Sequence, residues 1–236
     1  ADLPADHKYE ISSELVSEFL GTYMLVLTVG LNVLGGSGAG AFSIAAALMC
    51  MIFALGDVSG AHFNPAVTVA ILVRGKIEAP KAAMYIGTQI VGGVAAAFTY
   101  SAIMNGETFK LNPGAYKWHQ VCMAEFMFTF VLAFVVLSVA TAQKAHASHM
   151  FGFAIGMCVT VGGVAIGKVS GGSLNPAVSI AISSSHLING GPGWPCLVYT
   201  LVELIAGAFA GVLFGITQPS EYPEKAAAEL EAGKTQ

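Results

Sequence analysis

A ten-residue segment that occurs twice in this chain constrains its fold more than any other feature. Residues 59–68 read Ser-Gly-Ala-His-Phe-Asn-Pro-Ala-Val-Thr, and residues 170–179 read Ser-Gly-Gly-Ser-Leu-Asn-Pro-Ala-Val-Ser. Asn is among the best helix caps, and Pro is tolerated at the first helical position, where its missing N–H has no partner anyway. The two copies therefore predict two helix starts, at Asn64-Pro65-Ala66 and at Asn175-Pro176-Ala177.

The apolar run after each helix start is too short to cross a membrane. The runs are Val67–Val73 and Val178–Ile182, and a helix of about ten residues is roughly 15 Å long against a hydrocarbon core of about 30 Å. A half-helix at membrane depth leaves backbone groups unpaired, which is tolerable only beside protein or a water-filled cavity. Two half-helices in matching places predict a pathway at the midplane between inverted repeats.

The composition independently requires a membrane. Hydrophobic residues make up 55% of the chain and charged residues 10%, whereas soluble domains average about 25% charged residues. Mean hydropathy is +0.71. Six apolar stretches are candidate spans: Leu15–Leu34, Ala41–Leu55, Ala82–Met104, Val121–Ala142, Met150–Ile166 and Leu197–Ile216.

The predicted fold is an all-α membrane protein with six transmembrane helices and two re-entrant half-helices in two inverted repeats. One channel domain covers residues 1–217, with the first repeat at about 10–104 and the second at about 116–217. A polar connector joins the repeats, and residues 218–236 form a polar, solvated cytoplasmic tail. The first helix of each repeat carries a Glu-Phe pair, at Glu18 and at Glu125.

The distribution of Lys and Arg predicts that both termini are cytoplasmic. Seven of these residues fall on the side of the termini and three on the other: Lys8, Arg74, Lys76, Lys81, Lys144, Lys225 and Lys234 against Lys110, Lys117 and Lys168. The sequence leaves open whether the plasma membrane or a vacuole-like membrane is the host. The net charge of −4 gives no reason to expect a nucleic-acid partner.

Nothing in the sequence indicates an enzyme. It has no cluster with metal-ligand spacing, no nucleophile elbow and no phosphate-binding loop, so neither a metal nor another cofactor is expected. The four cysteines lie in or beside apolar spans without paired spacing, which favours packing thiols.

With Ser-Gly-x-x-x-Asn-Pro-Ala twice, six spans and a Glu-Phe pair in each half, the chain resembles the aquaporin (major intrinsic protein) family from Glu10 to Ile216. The resemblance implies a homotetramer in which each monomer has its own pore, with Asn64 and Asn175 as the paired pore asparagines. It also implies that Glu18 and Glu125 accept hydrogen bonds from the re-entrant loops. His62 matches the loop histidine that lines the cytoplasmic vestibule.

This assignment has a physical rationale. If each Asn oxygen caps its own half-helix, its NH₂ faces the lumen, and two such donors orient one water molecule and interrupt the proton wire. The half-helix N-termini add roughly +0.5 charge each, which opposes protons and cations. The expected function is passive passage of water and small neutral solutes across a lipid bilayer.

The outer constriction departs from the family pattern. The residue after the second Asn-Pro-Ala is usually Arg, and here it is Val178; counting from the asparagines places the other filter positions at Ile44, Gly163 and Gly172. A gap in the preceding loop would replace Gly163 by Ile166 or Val164. A small apolar filter resembles vacuolar (tonoplast-type) plant aquaporins and predicts passage of glycerol, urea or ammonia.

Two alternative functions remain open at this stage. A secondary transporter with inverted repeats also brings broken helices together at the midplane, but Asn64, Asn175, Val178 and Ile44 do not titrate. The other alternative function is that of a structural membrane protein with a closed pore.

Two charged residues have no settled role at this stage. Lys168 is either a replacement cation for the filter or a solvated side chain, and Glu203 in the last span has no assigned role.

Overall fold

The computed structural model describes residues 9–111, 113–142 and 148–222, and these contain helices and loops but no strand. The eight α-helices, numbered in chain order, are α1 Ile11–Leu34, α2 Gly40–Ser59, α3 Pro65–Val73, α4 Ala79–Ile103, α5 Trp118–Val136, α6 Phe151–Ile166, α7 Pro176–Ile188 and α8 Pro195–Thr217. A π-helical turn, Leu137–Thr141, extends α5, and 3₁₀ turns cover Ser148–Met150 and Pro219–Glu221. The predicted fold class is confirmed.

Five helices are long and apolar enough to cross a bilayer. They are α1, α2, α4, α5 with its π-helical extension, and α8. The sixth predicted span is α6, whose 16 residues extend about 24 Å and therefore fall short of a core of roughly 30 Å. The span predicted over Ala41–Leu55 is longer in the structure, because α2 continues to Ser59.

Both half-helices begin where the sequence predicts. The side-chain oxygen of Asn64 accepts a hydrogen bond from the Ala66 N–H at 2.8 Å, and that of Asn175 accepts one from the Ala177 N–H at 2.9 Å. α7 continues six residues beyond its predicted end at Ile182. This extension is polar in sequence but buried at Ser183 and Ser185, so hydropathy alone does not reveal it.

Each half-helix packs against the last helix of the other repeat. α3 lies on α8, and α7 lies on α4. Glycines allow the close approach: a Cβ added at Gly93 would lie 2.9 Å from the Ala177 carbonyl oxygen, and one at Gly207 would collide with the Ala66 carbonyl. The two repeats therefore interlock through helix backbones in contact.

The chain after α8 folds back onto the end of α3. The Arg74 guanidinium lies 3.1 Å from the Glu221 carbonyl oxygen and 3.3 Å from its carboxylate, and its Cζ is 4.1 Å from the centre of the Tyr222 ring. Arg74 and Glu221 are buried, so the predicted tail is packed at Glu221 rather than solvated, although Pro219 and Ser220 are exposed. The rest of that tail, residues 223–236, lies outside the described residues.

Substitution of Gly93 by Ala should destabilise the fold by about 1–3 kcal/mol, because the new methyl group meets a backbone carbonyl that cannot move aside. Gly87→Ala is the matched control, since Gly87 lies on the same helix and a Cβ there meets nothing within 4 Å. Thermal unfolding of both variants in detergent measures the difference. Equal unfolding midpoints would contradict this account of how the repeats pack.

Candidate functional site

The two Asn-Pro-Ala segments meet through crossed hydrogen bonds. The Asn64 Nδ2 donates to the Leu174 carbonyl at 2.8 Å, and the Asn175 Nδ2 donates to the Phe63 carbonyl at 2.9 Å. Each asparagine therefore caps its own half-helix and also ties it to the loop of the other repeat. Capping alone would leave both hydrogens of each NH₂ for the lumen; in the structure one of them is used between the loops.

The loops before the two half-helices have matching backbone conformations. Phe63 and Leu174, each directly before its Asn, have φ values of 48° and 54°; Ala61 and Gly172 have φ values of 50° and 66°. A left-handed conformation at a non-glycine residue costs on the order of 1–3 kcal/mol and persists only where the surroundings enforce it. No propensity rule predicts it at Phe63 or Leu174.

Glu18 holds the first loop in place. Its carboxylate, which is fully buried, accepts hydrogen bonds from the N–H groups of His62 at 2.9 Å and Phe63 at 2.7 Å. It also accepts from the Ser59 hydroxyl at 2.7 Å and the Gln89 side-chain amide at 2.8 Å. Four donors around one carboxylate fix the loop backbone, which has no other way to satisfy its N–H groups at this depth.

Two carboxylates hold the second loop. Glu125 accepts from the N–H groups of Ser173 at 3.1 Å and Leu174 at 2.9 Å. Glu203 accepts from the Asn175 N–H at 3.1 Å and from the Ser179 hydroxyl at 2.9 Å. Sequence reasoning gave Glu203 no role. Its position on α8 corresponds to that of Gln89 on α4, and an alignment of these two helices reveals the match.

A cavity of about 410 Å³ runs past both asparagines, and all four predicted filter residues line it. They are Ile44, Gly163, Gly172 and Val178. A Cβ at Gly172 would lie 3.3 Å from the Gly163 Cα, so these two glycines face each other closely. The alternatives to Gly163 do not line the cavity, since Ile166 is buried in the core and Val164 is 66% exposed.

A lysine does line this cavity, but it is not the one considered from the sequence. Lys110, in the connector between the repeats, is among the lining residues, whereas Lys168 is exposed and is not. A long, solvated ammonium is a weaker substitute for a fixed guanidinium, because its flexible stem does not hold the charge in one place.

His62 lies at the junction of this cavity with a second one of about 310 Å³. The second cavity is also lined by Lys76, Lys81 and Tyr85. The His62 Nδ1 lies 3.1 Å from the Thr68 hydroxyl, and its ring meets the Tyr85 ring edge-on at 5.1 Å between centroids. These contacts fix the orientation of the imidazole between the two spaces.

The sequence profile of the family described as Major intrinsic protein matches residues 6–214. The chain belongs to this family. As a major intrinsic protein it is an integral, multi-pass membrane protein and a passive channel for water and small solutes, not an enzyme.

Named relatives agree with this assignment. Putative aquaporin NIP4-1 of Arabidopsis thaliana is 31% identical over 243 residues, which cover 94% of this major intrinsic protein and 82% of the relative. Aquaporin NIP1-4 of Oryza sativa subsp. japonica is 35% identical over 213 residues, covering 85% and 73%. These relatives give no specific support to the resemblance to vacuolar aquaporins that Val178 suggested.

A solved structure shows the same fold. The X-ray structure of the aquaglyceroporin from Plasmodium falciparum matches with a TM-score of 0.73 and 20% sequence identity. The match covers 94% of this chain and 100% of the other. At this identity the likeness concerns the fold alone.

Replacing Glu18 by Gln should lower stability by about 1–3 kcal/mol and reduce water flux, because an amide turns an N–H group toward loop donors that need an acceptor. Glu10→Gln is the control, since Glu10 is exposed at the start of α1. Thermal unfolding and osmotic swelling of reconstituted vesicles measure both effects. If Glu18→Gln behaves like Glu10→Gln, the carboxylate does not hold the loop.

Proposed function

We propose that the conduction path is the cavity past Asn64 and Asn175, and that it admits water and small neutral solutes while excluding protons and ions. The crossed hydrogen bonds of the two asparagines carry this proposal. They bring the N-termini of α3 and α7 together and leave one amide hydrogen of each Asn for a passing molecule. Two donors from opposite sides orient a water molecule so that its neighbours cannot relay a proton through it.

Charge exclusion follows from the same geometry. Two half-helix N-termini place roughly +0.5 charge each beside the path, and an ion must also lose its hydration in a narrow, largely apolar tube. Neither contribution requires the arginine that Val178 replaces.

We propose that Ile44, Gly163, Gly172 and Val178 form the outer constriction and that it is wide enough for glycerol, urea or ammonia. The support is that these residues line one cavity and that two of them are glycines, which add no side chain to its lumen. His62 then lines the inner vestibule beside Lys76 and Lys81.

The arrangement in the membrane is part of the proposal. Arg74, Lys76 and Lys81 lie on the side of the two termini, and the excess of basic residues there supports cytoplasmic termini. The resemblance to aquaporins supports a homotetramer with one pore in each subunit.

Stopped-flow swelling of reconstituted vesicles with water, glycerol, urea and ammonia tests the proposed solute range. The native protein should conduct water and at least one of these solutes several-fold above protein-free vesicles. Val178→Arg should reduce solute flux and preserve water flux, because a guanidinium narrows the apolar constriction. Val178→Leu is the control, which adds volume without charge.

Two results would contradict this proposal. Permeability to water alone in the native protein would mean that the constriction is narrow. Permeability no greater than that of protein-free vesicles, for water as well, would indicate a closed pore and a structural role.

A further inference from the structure

A chain of three polar side chains runs behind the first loop. The His62 Nδ1 lies 3.1 Å from the Thr68 hydroxyl, and that hydroxyl accepts a hydrogen bond from the Gln89 Nε2 at 3.0 Å. The chain begins at the cavity, which His62 lines, and ends at a fully buried amide. Gln89 also donates to the Glu18 carboxylate.

An equivalent series of three hydrogen-bonded side chains lies behind the second loop, but its residue types differ. The Ser173 hydroxyl lies 2.6 Å from the Ser179 hydroxyl, which lies 2.9 and 3.2 Å from the two carboxylate oxygens of Glu203. Ser173 lines the cavity, and Glu203 is fully buried. Here the group at the cavity is a hydroxyl and the buried end carries an acid.

The pairing of Gln89 with Glu203 is supported by the neighbouring turns of α4 and α8. Four residues before each, a tyrosine donates to the serine that opens the repeated segment: Tyr85 to the Ser59 carbonyl at 2.9 Å, and Tyr199 to the Ser170 carbonyl at 2.6 Å. The second repeat therefore has an acid where the first has an amide.

This replacement places two carboxylates behind one loop without a counter-charge. Glu125 and Glu203 are both fully buried, and within the described ranges neither forms an ion pair. The two acids bind the N–H groups of adjacent residues, Leu174 and Asn175, so ionising both would hold two unpaired negative charges at one point of a low-dielectric interior. This arrangement favours one protonated and one ionised acid at neutral pH.

The surroundings of Glu203 favour the proton on this residue. Its titratable neighbours are Glu125 of α5 and Cys196 and Tyr199 of α8 itself. Of the other helices packed on α8, α3 carries no titratable side chain, and His186 of α7 lies at the far end beside Thr108. No cation from these helices faces Glu203. Glu125 accepts from two backbone N–H groups, whereas Glu203 accepts from one.

A neutral Glu203 satisfies every member of the chain. When Glu203 is protonated, its O–H can donate to the Ser179 hydroxyl, 3.2 Å away, instead of accepting from it. Ser179 then donates to Ser173, and Ser173 donates to the Asn175 carbonyl at 3.2 Å. If Glu203 is ionised, both hydroxyls must turn toward it and the Asn175 carbonyl loses this donor. Because Ser173 lines the cavity, the hydrogen-bonded hydroxyls give the proton a route between the cavity and Glu203.

The charge of Glu203 acts directly on the start of α7. Its carboxylate accepts from the N–H of Asn175, the capping residue. A full negative charge there outweighs the roughly +0.5 charge of the helix N-terminus, whereas a neutral acid leaves that positive potential intact.

We propose that Glu203 is a specificity-determining residue of the channel: it stays protonated at neutral pH, and loss of its proton in alkali weakens the exclusion of cations. This inference rests on the proposed exclusion of charge by the half-helix N-termini.

Infrared spectroscopy of the reconstituted protein tests where the proton resides. At neutral pH the native protein should show the carbonyl band of a buried carboxylic acid, which shifts in D₂O and disappears in Glu203→Gln. An identical band in native protein and variant, or no such band in either, would overturn the proposal whether or not the channel conducts.

Cation flux at two pH values tests the consequence. Between about pH 6 and about pH 9, Na⁺ flux through the native protein should rise by roughly tenfold or more, because the new negative charge is hydrogen-bonded to Asn175, which lines the path, and acts in a low dielectric. Glu203→Gln should lack this rise. Gln89→Glu, the equivalent acid in the first repeat, should enlarge it.

The outcomes separate this inference from the proposed function. A native flux that does not depend on pH, or a Glu203→Gln variant that retains the rise, would refute the role of Glu203. High Na⁺ flux at both pH values would instead refute charge exclusion by the half-helices. Water flux in the same vesicles shows that each variant is folded and open.

Discussion

The crossed hydrogen bonds between the two asparagines are the interaction on which the rest of the structure depends. Asn64 and Asn175 each use their oxygen to cap one half-helix and their nitrogen to bind the loop of the other repeat. Two short helices that cannot cross a membrane alone are thereby joined end to end across it. The lining of the path near the midplane follows from this junction.

Such a junction requires irregular backbone at membrane depth, where unpaired N–H groups are costly. Three buried glutamate side chains meet this requirement: Glu18 binds the first loop, and Glu125 and Glu203 bind the second. The loops can then hold Phe63 and Leu174 in left-handed conformations that turn their carbonyls toward the partner asparagines. The glycines at 93 and 207 complete the arrangement by bringing each half-helix against a helix of the other repeat.

Much of this architecture is predictable from sequence because it depends on short local segments, and the most informative of these occurs in both repeats. The Asn-Pro-Ala repeat gives both helix starts, and hydropathy gives the long spans. Features that depend on contacts between distant residues are not predictable in this way. Burial of Ser183 and Ser185 on α7, the packing of Glu221 against Arg74, and the second hydrogen bond of each Asn all arise from tertiary neighbours. Glu203 could have been paired with Gln89 only by extending the repeat comparison to α4 and α8.

The central claim is that the half-helix junction passes water and stops charge without a filter arginine. Simultaneous measurement of osmotic water flux and of the decay of an imposed pH gradient near neutral pH, in the same vesicles holding the native protein, tests it most directly. The account predicts water flux well above that of protein-free vesicles and a pH gradient that decays no faster than in those vesicles. Rapid loss of the gradient alongside rapid water flux would contradict it.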